Sequence, residues 1–148
     1  MKLFVLTIAM LFNLASFAAV SDTISAESNQ SHLQILDLVV GVHQTYSKTS
    51  QLEAKVIELL GGDGMNPTRM VLILSTGYQD TKIFDLGIMM YSVKRVVFLD
   101  KDVVVVNYTQ DTFKNDTDMT PIQVNKSVTV KALRNADGTL ANKLEVLK

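Results

Sequence analysis

The sequence predicts an α+β domain in which one helix packs on a curved, mainly antiparallel sheet of about 5–7 strands. Three observations carry that expectation. Residues 50–60 place apolar side chains at helical spacing, and from Arg69 onward apolar and polar residues alternate between turn signals. Third, the chain has the length of a single domain once its N-terminal segment is set aside.

That segment comes first. Lys2 precedes an unbroken apolar run from Leu3 to Phe12, and small residues follow at Ala15, Ser16 and Ala18. A charged start, a short apolar stretch and a small-residue cleavage site read as a signal peptide over 1–18, leaving Ala19 as the first mature residue. The run is shorter than the about 20 residues a membrane-spanning helix needs; the competing reading is an N-terminal membrane anchor. Of 148 residues, 130 then remain, enough to bury a core without covalent staples. The chain has no cysteine, which excludes disulfides, thiolate metal sites, a cysteine nucleophile and lipid attachment at an N-terminal Cys. Without Lys2, the 14 basic residues become 13 against 15 acidic ones, a net charge of −2. With no basic stripe, neither nucleic acid nor an anionic membrane surface is an expected partner. No second segment able to cross a membrane follows Ser21. The mature protein is expected to be exported and soluble, periplasmic or secreted, with no stable membrane insertion after cleavage.

Residues 19–31 are small and polar and read as a flexible leader to a single α+β domain over 32–148. Residues 33–46 have two readings. As a strand, Leu36, Leu38, Val40 and Val42 share one face, with Asp37, Gly41 and His43 among those opposite; as a helix, Ser31 and Gln34 form a capping box and Ile35, Val39, Val42 and Tyr46 a stripe. Valines and Gly41 favour the strand. Ser50 and Glu53 then form a capping box, Leu52, Val56, Leu59 and Leu60 recur at helical spacing, and Gly61-Gly62 supplies a stop: a helix of about ten residues with one buried face. Strands follow at Met70–Ser75 and at Ile83–Val93, bent at Gly87. Val96–Leu99 and Val103–Tyr108 flank a tight turn at Asp100-Lys101-Asp102. Val103–Val106 is apolar on both faces, as in a strand covered on each side. Beyond the polar loop Thr109–Pro121, a last hairpin turns at Asn135-Ala136-Asp137-Gly138, a type I turn with glycine left-handed.

The chemistry-bearing residues are sparse. Gly61-Gly62-Asp63-Gly64 follows the expected helix where a phosphate cradle precedes one, lacks a Gly-Lys-Ser/Thr and carries a carboxylate, so it reads as a loop and no phosphate cradle. His32 and His43 are the only histidines and form no HExxH pair. Asn115-Asp116-Thr117-Asp118 offers oxygens but lacks the glycine and distal glutamate of a calcium loop. Ser75-Thr76-Gly77 has no nucleophile elbow around it, and no Ser-x-x-Lys occurs. Asp80, Asp85, Asp100 and Asp102 are the carboxylates from which an acid–base pair would have to come. Asn29, Asn107, Asn115 and Asn125 open Asn-x-Ser/Thr triplets. No cofactor is implied.

What remains points to binding. The leading expectation is a non-enzymatic exported domain whose partner is a protein or an envelope component, engaged at a free sheet edge or at Thr109–Pro121. The C-terminal hairpin is the expected edge, with Lys131 and Lys143 as contacts or as guards against unwanted pairing. The alternative is a carrier of a small apolar ligand in a cavity between helix and sheet, lined by Phe84, Met89, Met90, Tyr91 and Phe98. A hydrolase using the aspartates ranks below both.

Overall fold

The computed structural model describes residues 22–25, 38–77 and 79–147, and among them it contains nine strands and no helix longer than a single 3₁₀ residue. The α+β expectation is thereby corrected to an all-β fold of two antiparallel sheets. The expected signal peptide over 1–18, His32 and Asn29 lie outside the described residues.

Four strands form a meander: β2 Val39–Ser47, β3 Leu52–Leu60, β4 Thr68–Ser75 and β5 Thr81–Met90, side by side in that order. A second meander comprises β6 Ser92–Asp100, β7 Val103–Phe113, β8 Pro121–Arg134 and β9 Leu140–Leu147. It gains a fifth strand at β9, β1 Asp22–Ser25, so that the sheet order is β1-β9-β8-β7-β6. Part of the segment read as a flexible leader is therefore a strand. β2 runs beside β6 and β1 beside β5, so the two sheets meet along both sides.

The segment expected to be a helix is β3. Leu52 and Val56 share a face at either periodicity, which is why the pattern misleads. Ala54 decides it: Leu52, Ala54 and Val56 are all fully buried while Glu53 and Lys55 point outward, a period of two. Leucine, alanine, glutamate and lysine favour helices locally, but β3 exchanges ladder bonds with β2 on one side and β4 on the other. Tertiary pairing overrides that weak preference. Ser50 caps nothing. It lies in the β2–β3 turn, where its hydroxyl donates to the Lys101 carbonyl and stands 3.0 Å from Ser47 Oγ.

Residues 39–46 form a strand, but its apolar face is the outer one. Val40, Val42 and Tyr46 are exposed, and Gly41, His43, Thr45 and Ser47 face the opposite sheet. β7 lies centrally as expected, yet only Val104 and Val106 are fully buried; Val103 and Val105 are half-covered. The bend at Gly87 is a bulge: Arg69 pairs with Met89 and Val71 with Asp85, so β5 spends two extra residues opposite Met70, with Gly87 at φ +64°. The last hairpin turns at Asn135–Gly138, where Gly138 N–H donates to the Asn135 carbonyl over 3.0 Å at φ +85°.

The core lies between the sheets. Leu52, Val56, Leu72, Leu74, Phe84 and Met90 come from one, and Val104, Val106, Val130, Leu140 and Leu144 from the other. Each fully buried side chain of this kind stabilises the fold by about 1.5–3 kcal/mol. At one end, Arg134 ties three turns together. It donates to Asp102 Oδ1 from Nη2 at 2.9 Å and Nε at 3.3 Å, to the Gly138 carbonyl at 2.9 Å and to the Ser50 carbonyl at 3.4 Å. At the other end, the Asn66 amide imitates a strand: Nδ2 donates to the Asp111 carbonyl at 3.1 Å and Oδ1 accepts from Asp111 N–H at 2.8 Å.

Candidate binding surface

The residues singled out from sequence do not converge. Phe84 and Met90 are buried in the core, with Phe98 packed against it, whereas Met89 and Tyr91 are 43% and 50% exposed. Met89 and Met90 point to opposite sides of β5, so the five side chains line no common space. Lys131 and Lys143 are exposed, but on strands flanked on both sides: Lys131 pairs with Val103 and Glu145, and Lys143 pairs with Ser25 of β1. The free edge of the C-terminal region is further along β8. β9 ends its pairing at Leu147 with Thr129, and beyond it Pro121–Val128 has no strand on its outer side among the described residues. Pro121 and Lys126 guard that stretch.

The aspartates are separately engaged. Asp80 Oδ2 accepts from Thr76 Oγ1 and Leu140 N–H, Asp85 holds Arg69 and the Gly87 amide, Asp100 accepts from Lys101 N–H, and Asp102 pairs with Arg134. Among the described residues no three His, Cys, Asp or Glu side chains group to hold a metal ion. His43 has a partner that sequence gave no signal for. Its Nε2 stands 2.6 Å from Glu58 Oε1, which also accepts from Val93 N–H of β6 at 3.2 Å. Glu58 is buried on the inner face of β3, and Gly41 across the ladder leaves it room: a Cβ there would come within 2.9 Å of Oε1. This carboxylate joins β2, β3 and β6 where the sheets meet.

The outer face of the four-stranded sheet carries an open concavity. Cross-strand register places Tyr46, Glu53, Ser75 and Thr81 in one row and Gln44, Lys55, Ile73 and Ile83 in the next. Between Tyr46, the β2–β3 turn and the β4–β5 loop lies an open depression of about 590 Å³, with Ile73 on its floor. Tyr46 is 54% exposed. The polar groups around it are already held. Glu53 accepts from the Gln44 amide and from Lys55 Nζ at 3.2 Å. Ser75 Oγ donates to the Gly77 carbonyl at 2.7 Å and accepts from Thr81 Oγ1 at 3.0 Å. Gln51 sits at the rim in the left-handed region, φ +54°, which costs a side-chain-bearing residue about 1–2 kcal/mol. Strained non-glycine residues of this kind gather at ligand sites.

The chain matches no family model, no curated protein and no solved structure. Its function is therefore read from its own geometry. An aromatic ring beside a carboxylate, an ammonium, two amides and three hydroxyls provides a stacking surface and directed hydrogen bonds. From the sequence Tyr46 stands out only as the end of a helical stripe, because nothing short of the β2–β3–β4–β5 register reveals which polar residues surround it.

Proposed function

We propose that the chain is an exported, non-enzymatic binding domain for an envelope component, and that the ligand is a glycan seated in the outer-face depression. One observation carries the reading: the half-exposed Tyr46 ring stands over a shallow cleft edged by pre-positioned polar side chains. A pyranose ring has an apolar C–H face that stacks on an aromatic ring, and an equatorial hydroxyl rim that pairs with planar acid and amide groups. The cleft supplies both, and its openness suits a polymer laid across a sheet better than a small molecule enclosed within one. Held groups such as Glu53 and Ser75 lose little freedom on binding, which favours affinity.

The test is cosedimentation with purified cell-wall polysaccharide, followed by calorimetric titration with soluble oligosaccharides. Tyr46→Ala is expected to weaken retention about tenfold or more, equivalent to about 1.4 kcal/mol, with an unchanged thermal midpoint. Gln51→Gly supplies the control for folding. It relieves the left-handed strain at the cost of a more flexible unfolded chain, and so holds or raises stability by up to about 1 kcal/mol while removing a rim side chain. Absence of binding to any polysaccharide, or equal binding by Tyr46→Ala, overturns the proposal.

A further inference from the structure

We propose that β1 is an exchangeable strand, and that the β1 of one copy pairs with β9 of a second copy to give strand-swapped dimers. The inference is independent of the glycan reading. Every other neighbouring pair within a sheet, from β2–β3 to β8–β9, joins strands consecutive in the chain. β1 alone pairs out of order, reaching from the N-terminal side to the edge of β9. Among the described residues it is also the shortest strand, with four residues in register: Asp22 with Val146, Thr23 with Glu145, Ile24 with Leu144 and Ser25 with Lys143. Of the side chains described for it, Ile24 alone packs against the core, while Thr23 and Ser25 are exposed. One apolar side chain and a short ladder are set against the ordering of four residues, which leaves the strand close to balance between bound and released.

Release bares the β9 edge over Lys143–Val146, including the groove in which Ile24 meets the fully buried Leu144. The sequence matched to that edge is β1's own, and a second copy carries it. Residues 26–37 lie between β1 and the first described residue before β2; twelve residues can span at most about 40 Å, enough reach for a neighbouring copy. A reciprocal exchange restores both ladders, so the swapped dimer differs from two monomers chiefly by the entropy of association and by any relief or strain in the connecting segment. Swapping therefore grows with protein concentration.

The absence of cysteine makes the test direct. Copies carrying Thr23→Cys and copies of different mass carrying Glu145→Cys are mixed at equal concentration, incubated and mildly oxidised. Strand exchange is expected to give a disulfide-linked heterodimer that exceeds either homodimer about tenfold or more, reflecting the high effective concentration of paired residues, and that rises with concentration. The doubly substituted chain reports the unswapped register through an intrachain disulfide. An intrachain bond in the double variant with no heterodimer from the mixture overturns the proposal. Heterodimer and homodimers in the proportions of random collision overturn it as well, as does failure of both disulfides.

Discussion

Arg134 and Asp102 illustrate how single residues hold this fold. Asp102 is 8% exposed, and its carboxylate receives two guanidinium N–H groups while its own carbonyl accepts from Ala132 N–H at 2.8 Å. Asp102→Ala leaves the guanidinium half-buried and without its anion, and is expected to lower unfolding free energy by about 2–3 kcal/mol, read from urea titration. The Asp102→Ala/Arg134→Met double variant should cost less than the two single changes summed, since each single change orphans the other partner. Asp137 makes a different, pH-dependent contribution. The Thr139 hydroxyl at 2.6 Å and then the Thr139 amide at 3.0 Å donate to its carboxylate and hold its pKa below the ordinary 3.8. A lowered folded-state pKa means that the ionised form favours folding. The contribution is complete above the unfolded value and is lost as pH falls through the lowered one. Asp137→Asn should therefore flatten the acid side of a stability profile taken from about pH 6 to about pH 2, with a slight loss at neutral pH and little change at the acid end. A profile of unchanged slope would contradict this.

At the level of elements, turns were more legible than the strands between them. The Asn135–Gly138 turn and the Asp100–Asp102 turn both stand where glycine and short polar side chains announced them, because turn chemistry is local. β3 was misread because its leucine and valine positions satisfy two periods at once, and only the partner strands discriminate between them. β2 carried the reverse difficulty. Its valines marked a strand but suggested the wrong inner face, since Glu58 and His43 occupy the interior at the seam and displace apolar residues outward. No local signal reports a hydrogen-bonded polar seam between sheets. The candidate cleft was illegible for a related reason: its residues come from four strands and two loops, and the register alone brings them together. The β3–β4 loop offers a test of how tightly such connections are set. A Cβ on Gly62 would fall 1.8 Å from the Asn66 carbonyl oxygen and 2.7 Å from Pro67 C, both backbone atoms that cannot step aside. Gly62 N–H also donates to the Pro67 carbonyl at 3.1 Å. Gly62→Ala is expected to cost about 3 kcal/mol and, by shifting Asn66, to loosen its clasp on Asp111. Amide hydrogen exchange at Asp111 should accelerate in step with the loss of stability; an unaffected midpoint would refute the clash.

For the whole molecule, two meanders face one another across a single core, and their hairpins ask little of the chain in closing distance. β1 is the exception, and its position has a consequence in time. Thr23 and Glu145 are paired across 122 residues of sequence, the longest loop that any strand pair of this fold must close. Closure entropy rises with loop length and long-range pairings form late. Among the described residues β1 is also the first strand to be synthesised, so it waits for the completion of everything else. Until β9 emerges, the earliest-made strand has no partner; once β9 does emerge, its outer edge stays bare for as long as β1 takes to return. On this reasoning the β1–β9 ladder is the last of the described pairings to close.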